Sequence, residues 1–213
     1  MIKYCEPLSD DKLNELKEIY NSQPKQESDG YKMASLEPAL AVLRDYVSNQ
    51  LGHNYWKCNQ GNFFEAYHPY RIHADTSADE HNHQTIVFPL DWSYNDNAQL
   101  SDNALYIFKQ RWPYEATNFR YGSKKHVGYR FNSDTRDYSK VENLEPDNYI
   151  DKVTADDCDH LNYKHFTGLS VEAKLQWKPG HPLTFPRTAL HCSNNWKRLG
   201  IKTKLGLSLF TCI

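Results

Sequence analysis

No apolar run in this 213-residue chain approaches the roughly 20 residues that a membrane-spanning helix needs, and the mean hydropathy is −0.82. The opening stretch MIKYCEPLSDDKLNEL lacks the basic-then-apolar order of a secretory signal, so a cytoplasmic protein with no membrane partner is expected. Cysteine is sparse. Cys5, Cys58, Cys158, Cys192 and Cys212 are odd in number and widely spread, with no Cys-x-x-Cys pair. This argues against a disulfide framework and a structural zinc, and the five are read as reduced thiols. Neither sign of charge dominates: 25 Lys and Arg against 27 Asp and Glu leave −2, which gives no general pull toward nucleic acid, although a local patch can still supply one. There is no internal repeat and no low-complexity tract, and the length fits a single medium domain, residues 1–213, with decorations.

The first fifty residues read as two helices joined by a polar connector. In SDDKLNELKEIYNSQ, Ser9 is the expected N-cap, Asp10 and Asp11 suit the positive helix start, and Leu13, Leu16 and Tyr20 form one apolar face. In SLEPALAVLRDYVSNQLG, Ser35 is the expected cap, Leu36, Leu40, Leu43, Val47 and Leu51 make the stripe, and Gly52 ends it. Beyond Gly52 short aromatic and β-branched runs are broken by Asn, Asp, Gly and Pro, the pattern of an antiparallel β domain. The expected strands are NFFEAY, YRIHAD, QTIVFPLDW, ALYIFKQRW, SVEAKLQW, PLTF, TALHCS and KTKLGLSLFT.

Residues 111–168 interrupt this pattern. Arg111 to Lys140 carries seven Lys or Arg against three acids, and Glu142 to Asp159 seven acids against one lysine, so charge is segregated along the segment. Ten aromatic residues from Trp112 to Phe166 give it too many anchors for a disordered linker. It reads either as an elaborated surface insertion whose charges partly cancel or as a lid or substrate platform.

In YRIHADTS, strand geometry places Arg71, His73 and Asp75 on one side and Ile72 and Ala74 on the other. A histidine and a carboxylate on one face can grip one metal ion, but such a pair alone is more often a surface or hydrogen-bonded couple. A third ligand changes the weighing. In WKPGHPLTFPRTALHCSNNW, the turn at Pro179-Gly180, the short strand ending at Phe185-Pro186 and the next strand predict a hairpin that presents His191. Two histidines and one carboxylate make the facial triad of non-haem Fe(II), whose three open positions suit a bidentate cosubstrate plus dioxygen. If that cosubstrate has a distal carboxylate, the pocket needs a cation. KTKLGLSLFT supplies Lys202 and Lys204 and alternates, with Lys204, Gly206 and Ser208 on one face and Leu205, Leu207 and Leu209 on the other, the leucines placed to lie under the N-terminal helices. Taken singly, the strand also fits an ordinary amphipathic element with a solvated lysine. Arg187, four residues before His191, reads equally as a substrate contact at the same mouth or as a rim ion pair. His81 and His83 fall in a polar turn, Cys158 and His160 lack a partner pair for zinc, and Cys192 is expected to point away from the metal as a small core residue.

The ordered set of His73-x-Asp75, the Pro-Gly turn, Phe185-Pro186, His191 and Lys204-x-Gly206-x-Ser208 resembles the Fe(II)- and 2-oxoglutarate-dependent dioxygenases, most of all the prolyl hydroxylase branch. The resemblance runs from about residue 60 to the C-terminus, with helices in front. It implies a mainly β fold with N-terminal helices, a double-stranded β-helix (jelly roll, cupin-like): residues 1–54 as helical support, 55–110 and 169–213 as the core, 111–168 as the insertion. It also implies that His73, Asp75 and His191 bind Fe(II), and that the 2-oxo acid chelates the iron through its C1 carboxylate and C2 carbonyl. Lys204 would hold the C5 carboxylate where relatives usually carry arginine, in a basic-x-small-x-Ser/Thr pattern completed around Ser208, with Lys202 as the alternative. Tyr67 would donate to the cosubstrate carboxylate and Tyr70 would stand nearer the substrate. The implied activity is hydroxylation of a C–H bond in a peptide, protein or small molecule, with O2 and 2-oxoglutarate as cosubstrates giving succinate and CO2. Two other readings stand beside it: an oxidative nucleic-acid demethylase, for which the basic 111–140 stretch with its aromatic residues offers phosphate and base contacts, and a non-catalytic jelly-roll domain that binds a sugar or a metal alone.

Overall fold

The computed structural model describes residues 1–28, 30–52, 60–75, 84–111, 150–166 and 168–211. After a two-residue strand, β1 (Lys3–Tyr4), helix α1 (Asp10–Ser22) starts where the cap residue predicts: the Lys12 amide donates to the Ser9 hydroxyl at 3.3 Å. The connector that follows is not merely polar loop. It forms a hairpin, β2 (Gln26–Ser28) and β3 (Tyr31–Ser35), turned at Gly30, whose φ of 82° favours glycine. Three β residues and a short alternating run are too weak a sequence signal to separate from a loop. Ser35 is not the helix cap expected: its hydroxyl accepts from the Glu37 amide at 3.2 Å, but one 3-10 turn (Glu37–Ala39) begins after Leu36 and leads after Ala39 into α2 (Leu40–Leu51), neither cap residue making a side-chain bond, and α2 stops at Gly52.

Four strands follow in the core: β4 (Gln60–Ala66), β5 (Gln84–Tyr94), β6 (Ala104–Arg111) and, beyond the insertion, β7 (Val171–Gln176). Three more close the chain: β8 (Leu183–Pro186), β9 (Ala189–Ser193) and β10 (Ile201–Phe210). They make two antiparallel sheets, seven strands in the order β1-β8-β5-β10-β4-β3-β2 and three in the order β7-β6-β9. This is the mainly β, jelly-roll architecture expected.

The two faces of β10 explain how the large sheet is covered. Leu207 and Leu209 are fully buried beneath Leu16 and Tyr20 of α1 and Leu43 and Val47 of α2, with Leu205 packed at the margin. Each such leucine contributes about 1.5–3 kcal/mol by leaving water. The opposite face, Lys204, Gly206 and Ser208, turns toward the small sheet. Cross-strand pairing sets it in rows: Tyr31, Ala66, Lys204 and Trp92 form one, and Asn62, Ser208 and Val87 another.

Two expectations are corrected here. Residues 70–75 are not a strand; they touch the small sheet through an isolated bridge, His73 to His191. And β8 and β9 are not a hairpin. β8 pairs with β5 in the large sheet and β9 with β6 in the small one, so the chain changes sheets at Arg187 and Thr188. A short strand ending in proline looks alike in sequence whether the next strand folds back on it or crosses to the other layer.

Residues 112–149, and with them nearly all of the basic stretch and its aromatics, lie outside the described residues, as do His81 and His83. The end of the insertion is described. Helix α3 (Lys152–Asp157) is capped by Asp151, which accepts from the Thr154 amide at 2.9 Å and hydroxyl at 2.8 Å. Ile150, Cys158, Phe166 and Leu169 then pack with Ile72, Ala74, Leu190 and Cys192, the apolar neighbours of the triad residues. Cys192 is therefore the buried core thiol expected, and Cys5 and Cys158 are also free and buried.

Candidate metal centre and cosubstrate pocket

Segment 71–75 is tied by backbone bonds to strand β9 at His73 and to the crossing residue Arg187 at Asp75. The His73 amide donates to the His191 carbonyl at 3.0 Å and the His191 amide to the His73 carbonyl at 2.8 Å. Two residues on, the Asp75 amide donates to the Arg187 carbonyl at 2.9 Å, and the Arg187 Nε returns a bond to the Asp75 carbonyl at 2.9 Å. Arg187 is 3% exposed and its guanidinium lies 5.0 Å from the Phe210 ring; it lines the cavity and also clamps the Asp75 backbone.

The three side chains converge. Their ligand atoms lie within 4.8 Å of one another, with His73 Nε2 3.4 Å from Asp75 Oδ1 and His191 Nε2 3.5 Å from Asp75 Oδ2. Each imidazole places Nδ1 2.9 Å from a backbone carbonyl, Arg71 for His73 and Ala189 for His191. A carbonyl only accepts, so Nδ1 carries the proton and the Nε2 lone pair faces the carboxylate. Both Nε2 atoms and the two carboxylate oxygens thus converge across about 3.5 Å, a donor set that one cation can share. The backbone carbonyls fix the imidazoles as metal sites require.

Protonation points the same way. Burial alone pushes the Asp75 carboxyl up, but His191, His73 and the Thr85 hydroxyl, which donates to Oδ2 at 2.9 Å, outweigh it and hold the group at about 2. Burial, reinforced by His73 and opposed by Asp75, lowers His191 to about 4. The contact at His191 is thus carboxylate to neutral imidazole rather than an ion pair, the state in which both groups ligate a metal.

The triad opens on a cavity of about 810 Å³ between the two sheets. Lys204 and Ser208 line it, as the alternation predicts. So does Tyr70, whose ring stands edge-on to His73 with centroids 4.4 Å apart. Two expected residues are placed elsewhere. Lys202 is exposed, off the cavity wall, its carbonyl accepting from the Lys197 ammonium at 2.8 Å, because a register shift between Ile201 and Thr203 breaks the alternation before Lys204. Tyr67 follows the inward Ala66 and turns out, its ring 5.3 Å from the Lys32 ammonium. Tyr31 and Met33 of β3 occupy the wall instead, Tyr31 stacking edge-on against Tyr70 at 5.4 Å. Asn62, Thr85, Trp177 and Trp196 also escaped the sequence reading. The alternation in QTIVF does place Thr85 with Val87, a usable signal, whereas nothing in the sequence marks the tryptophans. Gly61 belongs to this account: its φ is 142°, and a Cβ there would sit 1.9 Å from the Ser208 carbonyl oxygen, so the close approach of β4 to β10 needs glycine.

No family model matches the sequence, and no curated protein matches it. Solved structures do. A prolyl-4-hydroxylase from Pseudomonas putida aligns with 99% of this chain and 91% of its own at a TM-score of 0.50 and 11% identity. The epimerase SnoN, solved with Fe3+, alpha-ketoglutarate and nogalamycin RO, aligns with 98% of this chain and 77% of its own at 0.51 and 7%. HygX from Streptomyces hygroscopicus, solved with nickel, 2-oxoglutarate and hygromycin B, aligns with 100% and 82% at 0.50 and 9%. The chain shares their fold, and these likenesses do not single out the prolyl hydroxylase branch expected from the sequence.

Proposed function

We propose that this protein is an Fe(II)- and 2-oxoglutarate-dependent oxygenase that hydroxylates a C–H bond of a peptide, protein or small molecule. The observation that carries the reading is the pair of Nε2 lone pairs held against the Asp75 carboxylate inside a jelly-roll cavity that also contains a buried lysine. His73, Asp75 and His191 would hold the metal on one face, leaving the cavity side for ligands. Bound there with the 2-oxo acid, ferrous iron supplies the oxidation by O2 that yields succinate, CO2 and a hydroxylated substrate.

The chain's own residues do the rest. Arg187 and the paired amides of His73 and His191 fix the ligand backbone, so the three donors need no rearrangement on binding. Thr85 orients the carboxylate. Lys204 faces the cavity with no carboxylate partner among the described residues, and burial pushes its amine well below the ordinary lysine value. A ligand carboxylate there would restore its charge. Tyr70 and Tyr31 wall the side of the triad from which substrate would approach.

The test is release of succinate from 2-oxoglutarate by the protein with Fe(II) and ascorbate in air, compared with Asp75→Ala. Turnover lost in the variant supports the reading. No succinate from the folded, iron-loaded wild type would favour a domain that only binds.

A further inference from the structure

Lys204 has an unusual setting for a cation. The residue is 4% exposed, and its ammonium lies 4.9 Å from the Trp177 ring centre and 5.3 Å from that of Trp196. Both rings line the cavity and are themselves buried, at 4% and 1% exposure. Both are also rigidly carried. Trp177 follows β7, its amide donating to the Asn103 carbonyl at 2.9 Å and its carbonyl accepting from the Asn103 side chain at 3.1 Å. Trp196 follows β9 in a turn whose Leu199 and Ile201 amides both donate to its carbonyl at 3.2 Å.

Lysines buried this deeply are ordinarily paired with a carboxylate. An acid beside Lys204 would compete with any anionic ligand for the ammonium. Indole faces do not: their quadrupole attracts the cation while leaving its N–H groups for a stronger acceptor. They also oppose the loss of charge that burial imposes.

We propose that Trp177 and Trp196 determine the specificity of the cosubstrate seat, holding the Lys204 ammonium by ring faces so that the pocket selects 2-oxo acids bearing a second, distal carboxylate. This rests on the oxygenase reading above, and it assigns to this chain two residues that act through Lys204. The loss of a desolvated cation–ring contact corresponds to about 3- to 30-fold in affinity, and it should fall on the ligand that uses the ammonium.

The experiment is calorimetric titration of the nickel-loaded protein, without oxygen, using 2-oxoglutarate and 2-oxobutyrate, which lacks the distal carboxylate. Wild type is expected to prefer 2-oxoglutarate by well over tenfold. Trp177→Leu and Trp196→Leu should each reduce that preference about 3- to 30-fold, Trp177→Phe and Trp196→Phe should retain most of it, and neither leucine change should matter once Lys204→Met is present. Thermal melts identify variants that fold; if Trp196→Leu does not, Trp177→Leu and the two phenylalanine variants decide. Folded leucine variants with unchanged preference would overturn the proposal, as would an equal loss in the Lys204→Met background. A wild type with no preference would instead remove the assignment of Lys204 to a distal carboxylate, and this proposal with it.

Discussion

Replacing Thr85 by valine isolates the hydrogen bond that orients the Asp75 carboxylate. Thr85 is fully buried, its hydroxyl donates to Asp75 Oδ2 at 2.9 Å, and valine preserves its shape. A hydrogen bond to a charged acceptor contributes about 1.5–3 kcal/mol, and about 1.4 kcal/mol is tenfold in an equilibrium constant. Partners of metal ligands typically matter about 10- to 100-fold in metal affinity, so the two estimates agree. Thr85→Val should therefore bind Fe(II) about 10- to 100-fold more weakly, with the Asp75 carboxyl moved upward from about 2 because one of the contacts holding it down is gone. The assay is competition against a chelating dye without oxygen, alongside a thermal melt of the metal-free protein. A folded variant with wild-type affinity would show that Thr85 does not hold the ligand and that the buried carboxylate is positioned by something else.

Gly206→Ala tests how tightly the cavity wall is built: a Cβ there meets Phe64 Cζ at 2.5 Å and two further ring carbons at 3.1 Å, so Phe64 must move within the cavity it lines. Overpacking of this kind costs about 1–3 kcal/mol, read as a lower urea midpoint, and 2-oxoglutarate affinity should fall with it; unchanged values in both would mean the ring has room to rotate. Metal-free protein should lose stability on acidification in two successive windows. His191 stays unprotonated when folded down to about 4 whereas the unfolded chain takes up its proton near 6.5, so the unfolded state binds more protons between these values and stability falls as pH drops through them. Asp75, at about 2 when folded against about 3.9 unfolded, extends the loss below pH 4. Urea melts between pH 7 and pH 3 would show this, and a flat profile would contradict the buried, mutually opposed arrangement of the triad.

The parts of the fold legible in sequence are those where one local rule sufficed. Ser9 caps α1, Gly52 stops α2, and the alternation of Lys204, Gly206 and Ser208 with the leucines fixed both the cavity face and the helix-covered face of β10. Alternation placed His73 and Asp75 on one face, but their meeting with His191 was legible only through the ordered set of motifs that carries the family resemblance, not through any local rule. What escaped depends on three dimensions. The crossing at Arg187 that separates β8 from β9 leaves no mark that distinguishes it from a hairpin, and the shift before Thr203 that turns Lys202 outward is invisible in an alternating run. Tyr67 was misplaced by one residue of phase, since the inward position belongs to Ala66. Trp177 and Trp196 stand 19 residues apart on different turns and meet only around Lys204.

The central claim is that this triad and this lysine form one iron and 2-oxo acid site. Titration of the Fe(II)-loaded protein with 2-oxoglutarate in the absence of oxygen tests it directly, through the weak visible charge-transfer band of the chelate. The account predicts a band in the wild type, none in His73→Ala, and in Lys204→Ala a band that appears only at higher 2-oxoglutarate concentration. A folded, iron-loaded wild type that shows no band at any concentration would contradict it.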